Sequence, residues 1–234
     1  MIGFDPLYLL LVTPFFLLGL WAQFKVKSSY HAAAQIPSRH GWTGAQVARS
    51  ILDNNGMQGV AVEPAQGMLS DHYDPKAKVV RLSEGVYNSH SLAALGIAAH
   101  ECGHAIQDKT NYALMSIRNA AVPAANIGTQ FSMILFFIGL LLSARSVVGS
   151  TMMTVAIVLY AAVVFFQVIN LPVEFDASKR AKAVLVSERY IDEDELPPVR
   201  RVLSAAAMTY VAATLTAIAT LAYLLLRAQG SRRD

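Results

Sequence analysis

Cysteine is almost absent, with Cys102 the one thiol in 234 residues. A single cysteine excludes an intrachain disulfide, so cysteine usage gives no sign of an oxidising compartment. Charge is scarce as well, at 15% of residues against about 25% in an ordinary soluble domain. The net charge of +3 is small, and the basic residues stand in short groups beside apolar runs. Without a basic stripe there is no footprint for nucleic acid, and these charges belong to membrane topology. The N-terminal apolar run lacks a basic segment before it and a small-residue cleavage site after it. Lys25 and Lys27 follow it directly, so it reads as an anchor and not as a secretory signal. Apart from Asp5 near one end and Arg145 in a turn, the apolar runs carry no ionisable residue, which argues against a metal transporter.

What the chain has instead is apolar length. Hydrophobic residues make up 54% of it, the profile of a membrane protein. Residues 6–24 are long enough to cross a bilayer, with Pro14 a point for a kink. Residues 25–130 are mixed in character and read as the catalytic part. Within them, Thr43 to Asn54 places Val47, Ala48, Ile51 and Leu52 at helical spacing, and Asn55-Gly56 closes the helix. Val60 to Glu63 and Lys78 to Leu82 read as strands of a small antiparallel sheet, separated by a turn at Asp74-Pro75. Tyr112 to Asn126 reads as a further helix, bent or ended near Pro123. Residues 131–170 form a transmembrane hairpin whose turn, Ser143 to Ser150, holds Arg145. Residues 171–204 form a helix, with Pro172 in its first turn, and a linker. Residues 205–226 form a fourth span, rich in small residues that permit close packing. The expected fold is a mainly α integral membrane protein with about four transmembrane helices and a small α+β catalytic domain.

The chemistry is concentrated in His100-Glu101-Cys102-Gly103-His104. Histidines four apart on a helix lie on one face, one turn apart, so both imidazoles reach a single metal ion. Glu101, beside that face, can touch a metal-activated water without being a ligand, as a general base must. Three polar heads on an apolar helix are costly to bury without such a purpose. Cys102 lies about 200° round the helix from His100 and reads as a packing residue. Ala98, Ala99, Gly103 and Ala105 let other backbone come close.

A catalytic zinc usually takes three protein ligands, and His-His-Glu is an established set. The hairpin returns the segment after Ile169 to the side that precedes Phe131, which puts Glu174 on the side that holds His100 and His104. Gln107 and Thr110 occupy the positions where a third histidine motif would need Gly and His. Asp176 is the nearest rival, with Glu63, Glu84 and Asp71 more distant. A carboxylate near a helix N-terminus, favoured by the dipole, is the plain alternative for Glu174.

Three stretches together carry a family resemblance: His-Glu-Cys-Gly-His-Ala-Ile-Gln, the upstream Ser-Asp-His-Tyr-Asp-Pro-Lys, and Asn-Leu-Pro-Val-Glu-Phe-Asp-Ala-Ser. The chain resembles the bacterial membrane zinc metallopeptidases of the YugP type over nearly its whole length. It is more distantly similar to integral membrane gluzincins of the HtpX and Ste24 kind, whose third ligand is the Glu of Glu-x-x-x-Asp. That resemblance implies a zincin-like (gluzincin) catalytic domain with one Zn2+ per chain held by His100, His104 and Glu174. It implies peptide hydrolysis in which Glu101 takes a proton from a zinc-activated water and passes it to the leaving amine. Ser178 stands where the distant pattern has Asp, so the partner that orients a zinc-bound histidine is left to Asp176 or another acid. His72, Tyr73 and Arg180 are the candidates to stabilise the oxyanion. The strand with Val79, Val80 and Arg81 is read as an open edge to which an extended substrate adds.

The implied partners are a protein or peptide substrate and the lipid bilayer; the sequence names no regulatory membrane partner and fixes no homo-oligomeric state. Lys and Arg number nine from Lys25 to Gln130 and six from Leu171 to Ser204. The positive-inside rule therefore puts the active site on the cytoplasmic side of a multi-pass protein of the bacterial inner membrane, with Arg227, Arg232 and Arg233 running against it. The alternative function is a non-catalytic membrane scaffold or metal-binding adaptor. A structural zinc has four protein ligands and no free base, so an unliganded Glu101 favours the enzyme.

Overall fold

Helices dominate because apolar runs of this length can satisfy their backbone in lipid only as helices. The computed structural model describes residues 5–142 and 146–233, with the side chains of residues 231–233 left aside; Arg145 and the start of the expected hairpin turn lie outside them. The order is α1 (Pro6–Ala34), α2 (Gly44–Asn54), β1 (Ala61–Ala65), β2 (His72–Asp74), β3 (Val79–Ser83), α3 (Glu84–Tyr87), α4 (Leu92–Lys109), α5 (Ala113–Leu141), α6 (Val147–Ser187), a 3-10 turn (Glu193–Glu195) and α7 (Leu196–Arg233).

Among the described residues, four helices are long and apolar enough to cross a membrane: Pro6–Ala34, Ala113–Leu141, Val147–Ser187 and Glu193–Gly230. The chain divides into two compact units. One comprises Met1–Trp21, Ser116–Leu171 and Thr209–Asp234; the other comprises Ala22–Met115 and Pro172–Met208. In the first, Phe136, Met153 and Leu224 are fully buried, while Leu10, Phe131 and Val158 are exposed, as lipid-facing positions would be. Asp5 accepts a hydrogen bond from Tyr223 and pairs with Arg227 at 3.6 Å, so one of the C-terminal cations is neutralised within this unit.

Prolines do not end these helices. Pro123 lies inside α5 and Pro172 inside α6, where the expectation had a bend or an end at one and a helix start at the other. Each proline removes one backbone hydrogen bond, and the long apolar runs around them keep the helix going. Glu174 therefore sits deep in a 41-residue helix, and the helix-end reading of its carboxylate does not apply.

The second unit holds the sheet and α4. Thr43 and Gln46 form a capping box that starts α2. The predicted apolar face of α2, Val47, Ala48, Ile51 and Leu52, is fully buried in a core shared with Leu92, Leu95, Ala98, Ala99 and Cys102 of α4 and with Leu185 and Val199. The sheet differs from expectation. Its order is β1-β3-β2, with β1 parallel and β2 antiparallel to β3. The stretch read as pure connection contributes β2, and the Asp74 turn that follows has its carboxylate accepting the amides of Lys76 and Ala77.

Candidate metal centre

The site is built where α4 passes α6. Ser91 caps α4, its hydroxyl accepting the amide of Ala94, and the helix then runs through His100, Glu101, His104 and Gln107 to Lys109. Close approach to α6 depends on Gly103, where a β-carbon would lie 2.8 Å from the carbonyl oxygen of Ala177. The helices meet backbone to backbone, which brings Glu174 within reach of both imidazoles.

The Nε2 atoms of His100 and His104 lie 3.4 and 3.6 Å from Oε2 of Glu174. The three ligand atoms lie within 4.8 Å of one another. Ligands bound to zinc at about 2.0–2.1 Å with tetrahedral angles stand roughly 3.3–3.4 Å apart, so this donor set fits the ion in kind and in spacing. Glu174 is 2% exposed and Glu101 8%. Among the described residues, none donates a hydrogen bond to Glu101, so its carboxylate is uncommitted. Burial pushes the His104 imidazole down, but its hydrogen bond to the Glu174 carboxylate and the charges of Glu101 and Glu174 outweigh it and hold His104 above the usual histidine range. The local field favours a cation.

Both imidazoles are held from behind. Ser178 Oγ lies 3.2 Å from Nδ1 of His100, so the residue standing in place of Asp reaches the histidine itself. Nδ1 of His104 meets Oε1 of Gln107 at 3.0 Å. Asp176 does not reach an imidazole; it accepts from Gln107 at 2.9 Å and from Arg180 Nε at 2.6 Å. Gln107 was missed from sequence, though its place three residues after His104 puts it on the same helix face.

The other expectations fare unevenly. His72 is exposed on β2, its Nδ1 paired with the carbonyl of Ser70. The Tyr73 hydroxyl donates to Asp108 at 2.6 Å, and Lys78 pairs with the same oxygen; burial first, then Asp108, push this phenol up. Arg180 is engaged by Asp176. None of these three is seen among the contacts of His100, His104 and Glu174. The strand with Val79, Val80 and Arg81 is not an open edge. It is the central strand, paired on both sides, with Val79 and Val80 buried and Arg81 held between Glu63 and Asp74 at 3.4 Å each. The open edges belong to β1 and β2. The rival ligands are also accounted for: Asp71 accepts from the amide and hydroxyl of Ser83, Glu63 pairs with Arg81, and Glu84 is exposed. Cys102 is buried, with Sγ 3.5 Å from the carbonyl of Ala48, and burial pushes its thiol up, as suits a packing role. A second group, His40, Asp192 and Glu195, is accounted for by a clamp. Glu195 accepts the amides of Arg39 and Asp192, and Arg39 pairs with Asp192 and Asp194.

Comparison with known proteins adds two findings. A family model described as "Putative neutral zinc metallopeptidase" matches residues 8–229. The chain is 47% identical over 201 residues, 86% of its own length and 87% of the relative's, to a Bacillus subtilis (strain 168) protein named "Putative membrane protease YugP". No solved structure matches.

Proposed function

The chain belongs to the neutral zinc metallopeptidase family of the YugP type, and on that premise we propose that it is a membrane zinc endopeptidase. The observation that carries the reading is the convergence of His100 and His104 Nε2 on Glu174 Oε2 beside a buried, uncommitted Glu101. His100, His104 and Glu174 would hold one Zn2+. When bound, zinc supplies Lewis acidity to the substrate carbonyl and acidifies a water. Glu101 accepts the proton of the attacking water on its carboxylate and delivers it to the leaving amide nitrogen, so one group serves as base and then as acid. Ser178 and Gln107 hold the rings so that both Nε2 atoms stay aimed at one point.

In this reading residues 25–130 and 171–204 form a gluzincin-type catalytic part, and the remaining segments anchor it. Its substrates are proteins or peptides, and its role is protein turnover or quality control at the bacterial inner membrane. The excess of Lys and Arg in both metal-binding segments supports a cytoplasmic active site. A scaffold with a structural zinc loses support from a set of three protein ligands with an open base beside it.

Glu174→Gln tests the ligand set. The full-length protein, purified in detergent, should lose both bound zinc and cleavage of an unfolded model protein. Zinc retained at one per chain would put the third ligand elsewhere.

A further inference from the structure

Gln107 is fully buried, and its amide has three neighbours. Oε1 faces Nδ1 of His104 at 3.0 Å, while Nε2 lies 2.8 Å from the carbonyl oxygen of Val173 and 2.9 Å from Oδ2 of Asp176. A main-chain carbonyl and an ionised carboxylate only accept, so the NH2 end of the amide must face them. The oxygen is then left for the imidazole. It requires a proton on Nδ1 of His104, so that the neutral ring carries its lone pair on Nε2, towards the ligand cluster. Asp176 is fixed in turn by Arg180. His100 differs, because the hydroxyl of Ser178 can donate or accept and so steadies the ring without choosing its tautomer.

We propose that Gln107 is a positioning residue that sets the tautomer of His104 and ties that ring to α6 through Val173 and Asp176, with Arg180 completing the chain at the surface. The inference rests on the zinc-site reading above. Gln107 bridges both helices that supply ligands, so the spacing between His104 and Glu174 is held by the same amide that orients the ring. Its influence should fall off outward, from Gln107 to Asp176 to Arg180.

The test is zinc affinity of the detergent-purified full chain, by competition with a chromophoric chelator, alongside the Co(II) absorption spectrum and the melting midpoint without metal. Gln107→Met keeps an unbranched side chain and removes all three hydrogen bonds. It should weaken zinc about 10- to 100-fold and alter the Co(II) bands. Asp176→Asn, at a partly exposed position, carries the same test if the buried substitution does not fold, and should weaken zinc by a smaller factor. Unchanged zinc affinity and Co(II) bands with only a lower metal-free midpoint would overturn the proposal, leaving Gln107 a packing residue. A wild-type chain that binds no zinc would instead overturn the premise, and this inference with it.

Discussion

Gly103 and Ala177 hold α4 and α6 at backbone contact. A β-carbon on Gly103 would sit 2.8 Å from the carbonyl oxygen of Ala177 and 3.2 Å from its α-carbon. Neither atom belongs to a flexible side chain, so the helices themselves would have to part. Gly103→Ala should therefore destabilise the fold by about 1–3 kcal/mol and weaken zinc binding, because Glu174 moves away from both histidines. Melting midpoints with and without zinc check this; a variant as stable as wild type would mean the helices slide past each other at no cost.

Ser178 reaches His100 where a carboxylate would be the stronger partner. Ser178→Ala removes the hydrogen bond at 3.2 Å and should weaken zinc about 10-fold, with cleavage recovered at excess zinc. An equilibrium zinc titration of the variant decides the matter.

Chelation should abolish cleavage, and zinc should restore it. Zinc at 100 times its dissociation constant should also stabilise the protein by about 2.7 kcal/mol, seen as a higher melting midpoint. A midpoint indifferent to zinc would count against a site formed only in the folded state.

The side of the membrane is open to thiol labelling, because the native Cys102 is buried and gives little background. Met68 is 67% exposed, on the loop between β1 and β2. Met68→Cys in intact cells should resist a membrane-impermeant maleimide and react once the cells are permeabilised. Labelling of intact cells would place this loop outside.

The grouping of His100, His104 and Glu174 was legible because helical periodicity fixes where residues four apart must point, and the expected hairpin puts Glu174 on the side of His100. The sheet was legible only as strands. β2 has three residues and one flanking turn, too little alternation to announce itself, and without it β3 reads as an edge. Pro172 misled as a helix start, and Pro123 does not end its helix, because a proline costs a helix a bond without outweighing a long apolar run. Gln107 was overlooked because a neutral amide carries no sign of chemistry until its three partners are known.

The central claim is that Glu101 is a base beside a zinc it does not bind. Glu101→Gln preserves the three proposed ligands and removes only the group that takes the proton. Measured side by side with wild type in detergent, the variant should hold one zinc per chain and cleave an unfolded model protein at least about 100-fold more slowly. Equal cleavage by the two proteins, with zinc bound in both, would contradict the account.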